Sequence, residues 1–323
     1  MVRLTLLGLA GLLGLGACDD GKHHLHPEAG RDAPPPPWWR PVLGEAKDWD
    51  IQLAAPYDLS ATRVMYDLDL WAVVPAPTMI DYGDADPVSV PAGALAGKIA
   101  ELKGRGVKVI CHVDTGAIQL TDPDARKFPG YQASPPDDPT PVAAGSVIGW
   151  KIEVPNERYL DLRTASRPLW VAKMWKRFDL AKQIGCDGID GDRNDTINGN
   201  TGFPAIGVTE QYSWYAEIVK QLHDRELSAG MRNGNTLPGQ VDMFADDFDW
   251  MLVERCGEFG DCDQTRPFIQ LRRVVFAVDY AHDIDGAVNS PTAVCNRQQA
   301  AQISEGLIKD DAISSAQRTQ CNP

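Results

Sequence analysis

The sequence predicts an α/β fold, a (β/α)8 barrel of the TIM type, on three observations. Short apolar segments alternate with longer amphipathic ones along the chain after residue 38. About eight apolar segments fall within roughly 280 residues, the span of one such barrel. Most of them end in an acidic or amide side chain, and in a parallel barrel the C-terminal strand ends share one mouth, where active sites lie. A doubly wound open sheet would carry a glycine-rich phosphate loop after its first strand, and the sequence has none.

Residues 1–18 are expected to lie outside the fold. Arg3 precedes an apolar run from Leu4 to Leu15, then Gly16, Ala17 and Cys18. That is the layout of a secretory signal, and the run is too short for a permanent membrane span. Leu15-Gly16-Ala17-Cys18 resembles the bacterial lipobox, whose cysteine is acylated and becomes the new N-terminus. Cys18 is therefore the expected lipidation site. The protein is expected to be extracytoplasmic, lipid-anchored to the cell membrane on the periplasmic side or at the cell surface. Residues 19–37 hold His23, His24, His26 and the run Pro34 to Pro37; they read as a disordered, solvated tether. Residues 38–323 are the barrel domain.

Within that domain the strand candidates run, in order, over residues 63–70, 108–114, 159–163, 185–192, 227–233, 248–254, 273–280 and 306–310. Helical spacing of apolar residues predicts helices over 92–105, 168–184 and 209–225, with Thr209 as N-cap. Six cysteines remain after Cys18. In an oxidising compartment Cys256 is expected to pair with Cys262, and Cys295 with Cys321. Cys111 and Cys186 fall in apolar segments and read as buried thiols. No zinc-ligand spacing is present, so neither metal nor cofactor is expected. The net charge of −14 argues against nucleic acid as a partner and suits a cationic substrate. A monomer is expected.

The strand ends carry Asp67 and Asp69, Asp114, Asp161, Asp190 and Asp192, Asn233, Glu254 and Asp279. Residues two apart on a strand face the same way, so Asp67 with Asp69, and Asp190 with Asp192, can each point at the axis. Carboxylates crowded at one mouth cannot all ionise cheaply, and a raised pKa is what a proton-donating carboxylic acid needs.

The most specific stretch is Gly185-Cys186-Asp187-Gly188-Ile189-Asp190-Gly191-Asp192-Arg193-Asn194-Asp195. With Val253-Glu254-Arg255-Cys256, Tyr66-Asp67-Leu68-Asp69, Val109-Ile110-Cys111-His112 and Val278-Asp279-Tyr280, it resembles glycoside hydrolase family 114, the endo-α-1,4-polygalactosaminidases and related barrels. The ordered match runs from about Trp49 to Cys295 and marks a divergent member. Asp190 and Asp279 stand where that family tends to have glutamate, and Gly191 stands where it has proline. The resemblance implies internal hydrolysis of α-1,4-linked, galactosamine-rich polysaccharide by two carboxylates, on Asp192 and Glu254. Asp192 is expected as nucleophile or base and Glu254 as acid/base, with the roles exchangeable because sequence fixes no pKa.

Substrate contacts are expected from Asp67, Asp69, Asp190, Asp195, Asn233, Asp279 and Tyr280, the acids pairing with sugar ammonium groups. Arg232 reads as a counter-charge that lowers the pKa of an acid. Tyr66, Trp71, Trp150, Tyr212, Trp214 and Tyr280 are candidate sugar platforms. A non-catalytic, surface-anchored carbohydrate-binding barrel is the alternative. A metal hydrolase is disfavoured because the domain has no clustered histidines.

Overall fold

A computed structural model describes residues 35–152, 154, 156–198, 200–234 and 241–322. The expectations for Cys18, for His23, His24 and His26, and for the tether up to residue 34 lie outside the described residues.

The fold is α/β, built on a nine-stranded, nearly closed barrel. Its strands are β1 (Trp49–Gln52), β2 (Met65–Asp69), β3 (Lys108–Asp114), β4 (Gly188–Asp192), β5 (Ser228–Arg232), β6 (Trp250–Glu254), β7 (Val274–Tyr280), β8 (Glu305–Lys309) and β9 (Arg318–Gln320). They are hydrogen-bonded in chain order; β1 to β8 are parallel and β9 is antiparallel to β8. Individual contacts bridge the seam between the two ends of the sheet. Trp49 Nε1 donates to Glu305 O at 2.9 Å, and Leu53 N donates to Ile313 O at 2.8 Å. The buried Lys309 Nζ lies 2.8 Å from Asp50 Oδ1.

Two expectations are corrected here. The first barrel strand is Trp49–Gln52, which was not among the candidates. The segment at 159–163 is not a barrel strand. Glu157–Leu160 pairs antiparallel with Ala117–Gln119 and Ile148–Lys151, forming a separate three-stranded sheet between β3 and the helix that follows. Asp161 is thus off the barrel, where it accepts from Arg163 Nε at 2.8 Å and from Ser166 Oγ at 2.5 Å.

Among the described residues four helices exceed six residues: α1 (Lys98–Gly104), α2 (Val171–Ile184), α3 (Val208–His223) and α4 (Pro291–Ala300). On α3, Gln211, Trp214, Tyr215, Ile218, Val219 and Leu222 are buried, the stripe expected of a helix lying on a sheet. Its N-cap is Gly207, and Thr209 sits inside the first turn. Helix α2 ends at Gly185, whose φ of 99° lets Gly185 N and Cys186 N both bond back to Ala181 O. Cys186 then reaches Cys111 on β3 in a disulfide, not the two free thiols expected. The Cys256–Cys262 and Cys295–Cys321 pairs form as expected.

Inside the barrel Trp49, Trp250 and Phe276 pack ring to ring, at 4.8 and 5.6 Å, near the N-terminal strand ends. Each buried indole removes about 200 Å² from water, a gross gain on the order of 5 kcal/mol. The cavity of the described residues lies at the opposite end, over the C-terminal strand ends. On the closed side, Trp38 stacks on His223 with centroids 4.0 Å apart and donates to Asp249, just before β6, at 3.1 Å. Arg40 pairs with the same carboxylate at 2.8 Å. The first residues of the domain are therefore fastened across the base of β5 and β6.

Candidate active site

Strand alternation assembles the site. Asp67 and Asp69 on β2, His112 and Asp114 on β3, Asp190 and Asp192 on β4, Arg232 on β5, Glu254 on β6 and Tyr280 on β7 form one interior row system near the C-terminal strand ends. The upper members open on a cavity of about 690 Å³.

Arg232 is the hub of this arrangement. Its Nη1 lies 2.5 Å from Asp190 Oδ2, its Nε 3.2 Å from Asp192 Oδ2 and its Nη2 2.9 Å from Glu254 Oε1. Nε also donates to Glu254 Oε2 at 3.1 Å. Asp192 Oδ2 and Glu254 Oε2 are both neighbours of that one nitrogen, so they can be no farther apart than the two distances together, about 6.3 Å. Glu254 receives two further donors, Asn233 Nδ2 at 2.8 Å and the Tyr280 hydroxyl. Asn233 Oδ1 in return accepts from Glu254 N at 2.9 Å.

The residues following β4, β5 and β6 share one backbone conformation. Arg193, Asn233 and Arg255 all have left-handed φ values, 55°, 54° and 58°. Such residues cost roughly 1–2 kcal/mol each and persist where the surroundings hold them. Each turn sends its side chain back to the site. Arg193 pairs with Glu157 at 2.9 Å, Asn233 grips Glu254, and the Arg255 guanidinium covers the Tyr280 ring at 4.4 Å. Gly116 backs the first turn; a Cβ there would stand 1.7 Å from Arg193 O.

The two carboxylates carry opposite shifts. For Asp192, burial is the largest influence and raises its pKa; Arg232 offsets this only in part, and Glu254 adds to it. For Glu254 burial acts in the same sense but is overcome by the Arg232 charge and by hydrogen bonds from Arg232, Tyr280 and Asn233, which hold it well below the usual range. Asp195 and Glu157 are both pushed up to about 7, chiefly by burial. Burial disfavours a charged His112, but hydrogen bonds to Asp114 and Asp190 raise its pKa well above the usual value. His112, Asp114 and Asp192 bring ligand atoms within 4.8 Å of one another. His112 also lies 3.2 Å from Asp190, so the three belong to a chain of facing charged groups that runs on to Arg232.

Among the expected contact residues, Asp69, Asp195, Asn233 and Tyr280 line the cavity with Asp192 and Glu254. Three others do not. Asp279 faces the helical layer, where it accepts Gly257 N, Glu258 N and Gln298 Nε2 at 3.1, 2.8 and 2.7 Å. Asp190 is fully buried and engaged by Arg232 and His112. Asp67 lies fully buried with no protein donor to either oxygen. Burial and the Asp190 charge raise its pKa well above the usual value. Tyr66 and Trp214 are core residues, whereas Trp71 lines the cavity. Glu157 and Asp122 also line it, although no local pattern singled out Glu157, which arrives from the inserted three-stranded sheet.

Residues 28–322 match glycoside-hydrolase family GH114. The chain belongs to this family. It is therefore a glycosidase, hydrolysing glycosidic bonds. Among solved structures, Ega3 of Aspergillus fumigatus in complex with galactosamine is similar at 23% identity and a TM-score of 0.65, covering 88% of this chain and 97% of that one. A single-residue variant of the glycoside hydrolase domain of PelA from Pseudomonas aeruginosa is similar at 13% identity and a TM-score of 0.54, covering 84% and 98%. No curated protein sequence matches this chain. In this GH114 chain the motif positions Asp192 and Glu254 are the two cavity carboxylates that Arg232 joins.

Proposed function

We propose that this GH114 glycosidase is a (β/α)8-barrel enzyme that cuts α-1,4-linked, galactosamine-containing polysaccharide within the chain, with retention of configuration. Glu254 is the nucleophile and Asp192 the acid/base, the reverse of the assignment preferred from sequence. The observation that carries this reading is the unequal hold of Arg232. Glu254 takes the fork of its guanidinium plus two more side-chain donors, which hold its pKa down, while Asp192 has one 3.2 Å contact to Arg232 and the Arg193 N–H at 2.6 Å, and its pKa is raised. An ionised carboxylate beside a protonated one is the pair that bond cleavage requires. Retaining enzymes place their carboxyl groups at about 5–5.5 Å and inverting ones at about 6.5–9.5 Å; the bound of about 6.3 Å supports the former.

In the first step the Asp192 proton passes to the leaving glycosidic oxygen as Glu254 attacks the anomeric carbon. In the second, Asp192 takes a proton from water and the glycosyl–Glu254 ester is hydrolysed. An ammonium-bearing sugar would meet Asp69, Asp114 and Asp195 on the cavity wall. The galactosamine found with Ega3 supports this substrate class.

Incubation with α-1,4-galactosaminan, acetylated and deacetylated, should release oligosaccharides whose new reducing ends are initially α. Asp192→Asn and Glu254→Gln should each lower kcat by at least roughly 1,000-fold. With an activated substrate, azide should rescue a Glu254→Gly variant as the β-azide and an Asp192→Gly variant as the α-azide. The opposite pair of anomers would exchange the two roles, and initial β products would remove the retaining mechanism.

The chain is also proposed to be lipid-anchored outside the cytoplasm through Cys18. Its three disulfides support an oxidising compartment. Mass spectrometry of the mature N-terminus should show an acylated Cys18; an unmodified Asp19 terminus would contradict this.

A further inference from the structure

The cavity wall divides into two arcs. Over β2 to β4 it is acidic, with Asp69, Asp114, Asp122 and Asp195. Over β6 to β8 and back to β1 it carries the apolar side chains Phe259, Ile284, Ile313 and Leu53, one from each successive strand-end loop, with Arg255, Asp261 and Asp311 among them. Glu254 and Tyr280 end β6 and β7, within the second arc. Leu53 and Ile313 are joined by a backbone hydrogen bond across the seam, so the apolar arc is continuous there.

Phe259 and Ile284 are 56% and 63% exposed, although both line the cavity. The loop carrying Phe259 is held firmly, and by other groups. The Cys256–Cys262 disulfide closes it. Asp279 accepts Gly257 N and Glu258 N, and Arg297 donates to Gly257 O and Glu258 O at 2.7 and 2.9 Å. Ile284 N donates to Glu258 Oε1 at 2.9 Å, tying the two loops together. Charged groups of this loop are thus turned inward while a phenyl ring is presented to solvent on the wall of the cavity that holds Asp192 and Glu254. A rigidly presented apolar surface continuous with a catalytic cavity marks a ligand-contacting surface.

We propose that Phe259, with Ile284 beside it, is a sugar-stacking subsite. It would take the C–H face of a sugar residue outlying the cleaved bond, opposite the acidic arc. This rests on the polysaccharide-cleaving reading above. A pyranose offers one apolar face of C–H groups, and an aromatic ring binds such a face without needing a charge. The chain-length dependence of binding should therefore depend on this ring.

The test uses the intact protein carrying Glu254→Gln, titrated calorimetrically with α-1,4-galactosamine oligomers of increasing length, alongside KM on the polymer with Glu254 intact. Adding Phe259→Ala should weaken binding of the longest oligomers roughly tenfold and flatten the gain with length. Phe259→Trp should restore both, which a merely structural role of the loop would not do. Equal affinity of the Phe259→Ala protein for the longest oligomers overturns the subsite, whatever happens to cleavage. Cleavage with KM unchanged by Phe259→Ala overturns the subsite and leaves the hydrolase reading standing. Phe259-dependent binding without any cleavage supports the subsite and removes that reading. Neither binding nor cleavage removes both.

Discussion

A guanidinium that touches three carboxylates sets the charge state of each. With Arg232 in place the pKa values of Asp190 and Glu254 are lowered, while that of Asp192, which has one contact to Arg232, is raised by burial. Arg232→Ala would leave buried charges without their partner and should destabilise the fold by about 3–5 kcal/mol, measured by chemical denaturation. Arg232→Lys keeps a charge but loses the planar fork, and should lower kcat roughly 100-fold. Its pH–rate profile should change in one direction. The acid limb reports ionisation of Glu254, whose pKa rises when the fork is lost, so that limb should move to higher pH. An unmoved acid limb would separate Arg232 from the charge of Glu254. The strand-end acids stand out in the sequence against apolar runs, the family resemblance singles out Asp192 and Glu254 among them, and both line the cavity beside Arg232. Sequence could not assign acid and nucleophile, since that depends on donors brought from β5 and β7 by folding.

At the level of elements, alternation along strands made the barrel readable wherever a strand was apolar. It failed at both kinds of exception. Trp49–Gln52 contains Asp50 and Gln52, which serve the seam, so it lacks the apolar signature. The apolar stretch near Tyr159 has that signature because it packs in the inserted antiparallel sheet. The same insertion brings in Glu157, which no motif marked. The Cys111–Cys186 disulfide ties β3 to the entry of β4 across 75 residues. In a chain-entropy account a closed loop of that size is worth about 4 kcal/mol. Replacing both cysteines by serine should lower the unfolding free energy in chemical denaturation by that amount or less, with the slope showing whether the denatured state expands. No change would mean that the strands are fixed without the cross-link.

For the molecule as a whole, the inward-facing acids give stability a definite pH dependence. Asp122, Asp195 and Glu157 have pKa values near 7, raised chiefly by burial. Each stabilises the fold while protonated, fully below its unfolded value near 4, and that contribution is lost as pH rises through about 7. His112, raised by its carboxylate partners, acts in the same sense from about 6.5 upward. Glu254, Asp190 and Asp249 are lowered, so their contributions are present above about 4 and fail only in more acidic solution. Thermal unfolding by calorimetry should therefore show Tm highest near pH 4–5 and falling towards pH 8. A Tm that rises over that interval would contradict the assigned protonation states.

The clasp of Trp38 and Arg40 on Asp249 has a bearing on orientation. It braces the sealed pole from outside the strands, so the domain's first described residues leave the catalytic opening at the other end clear.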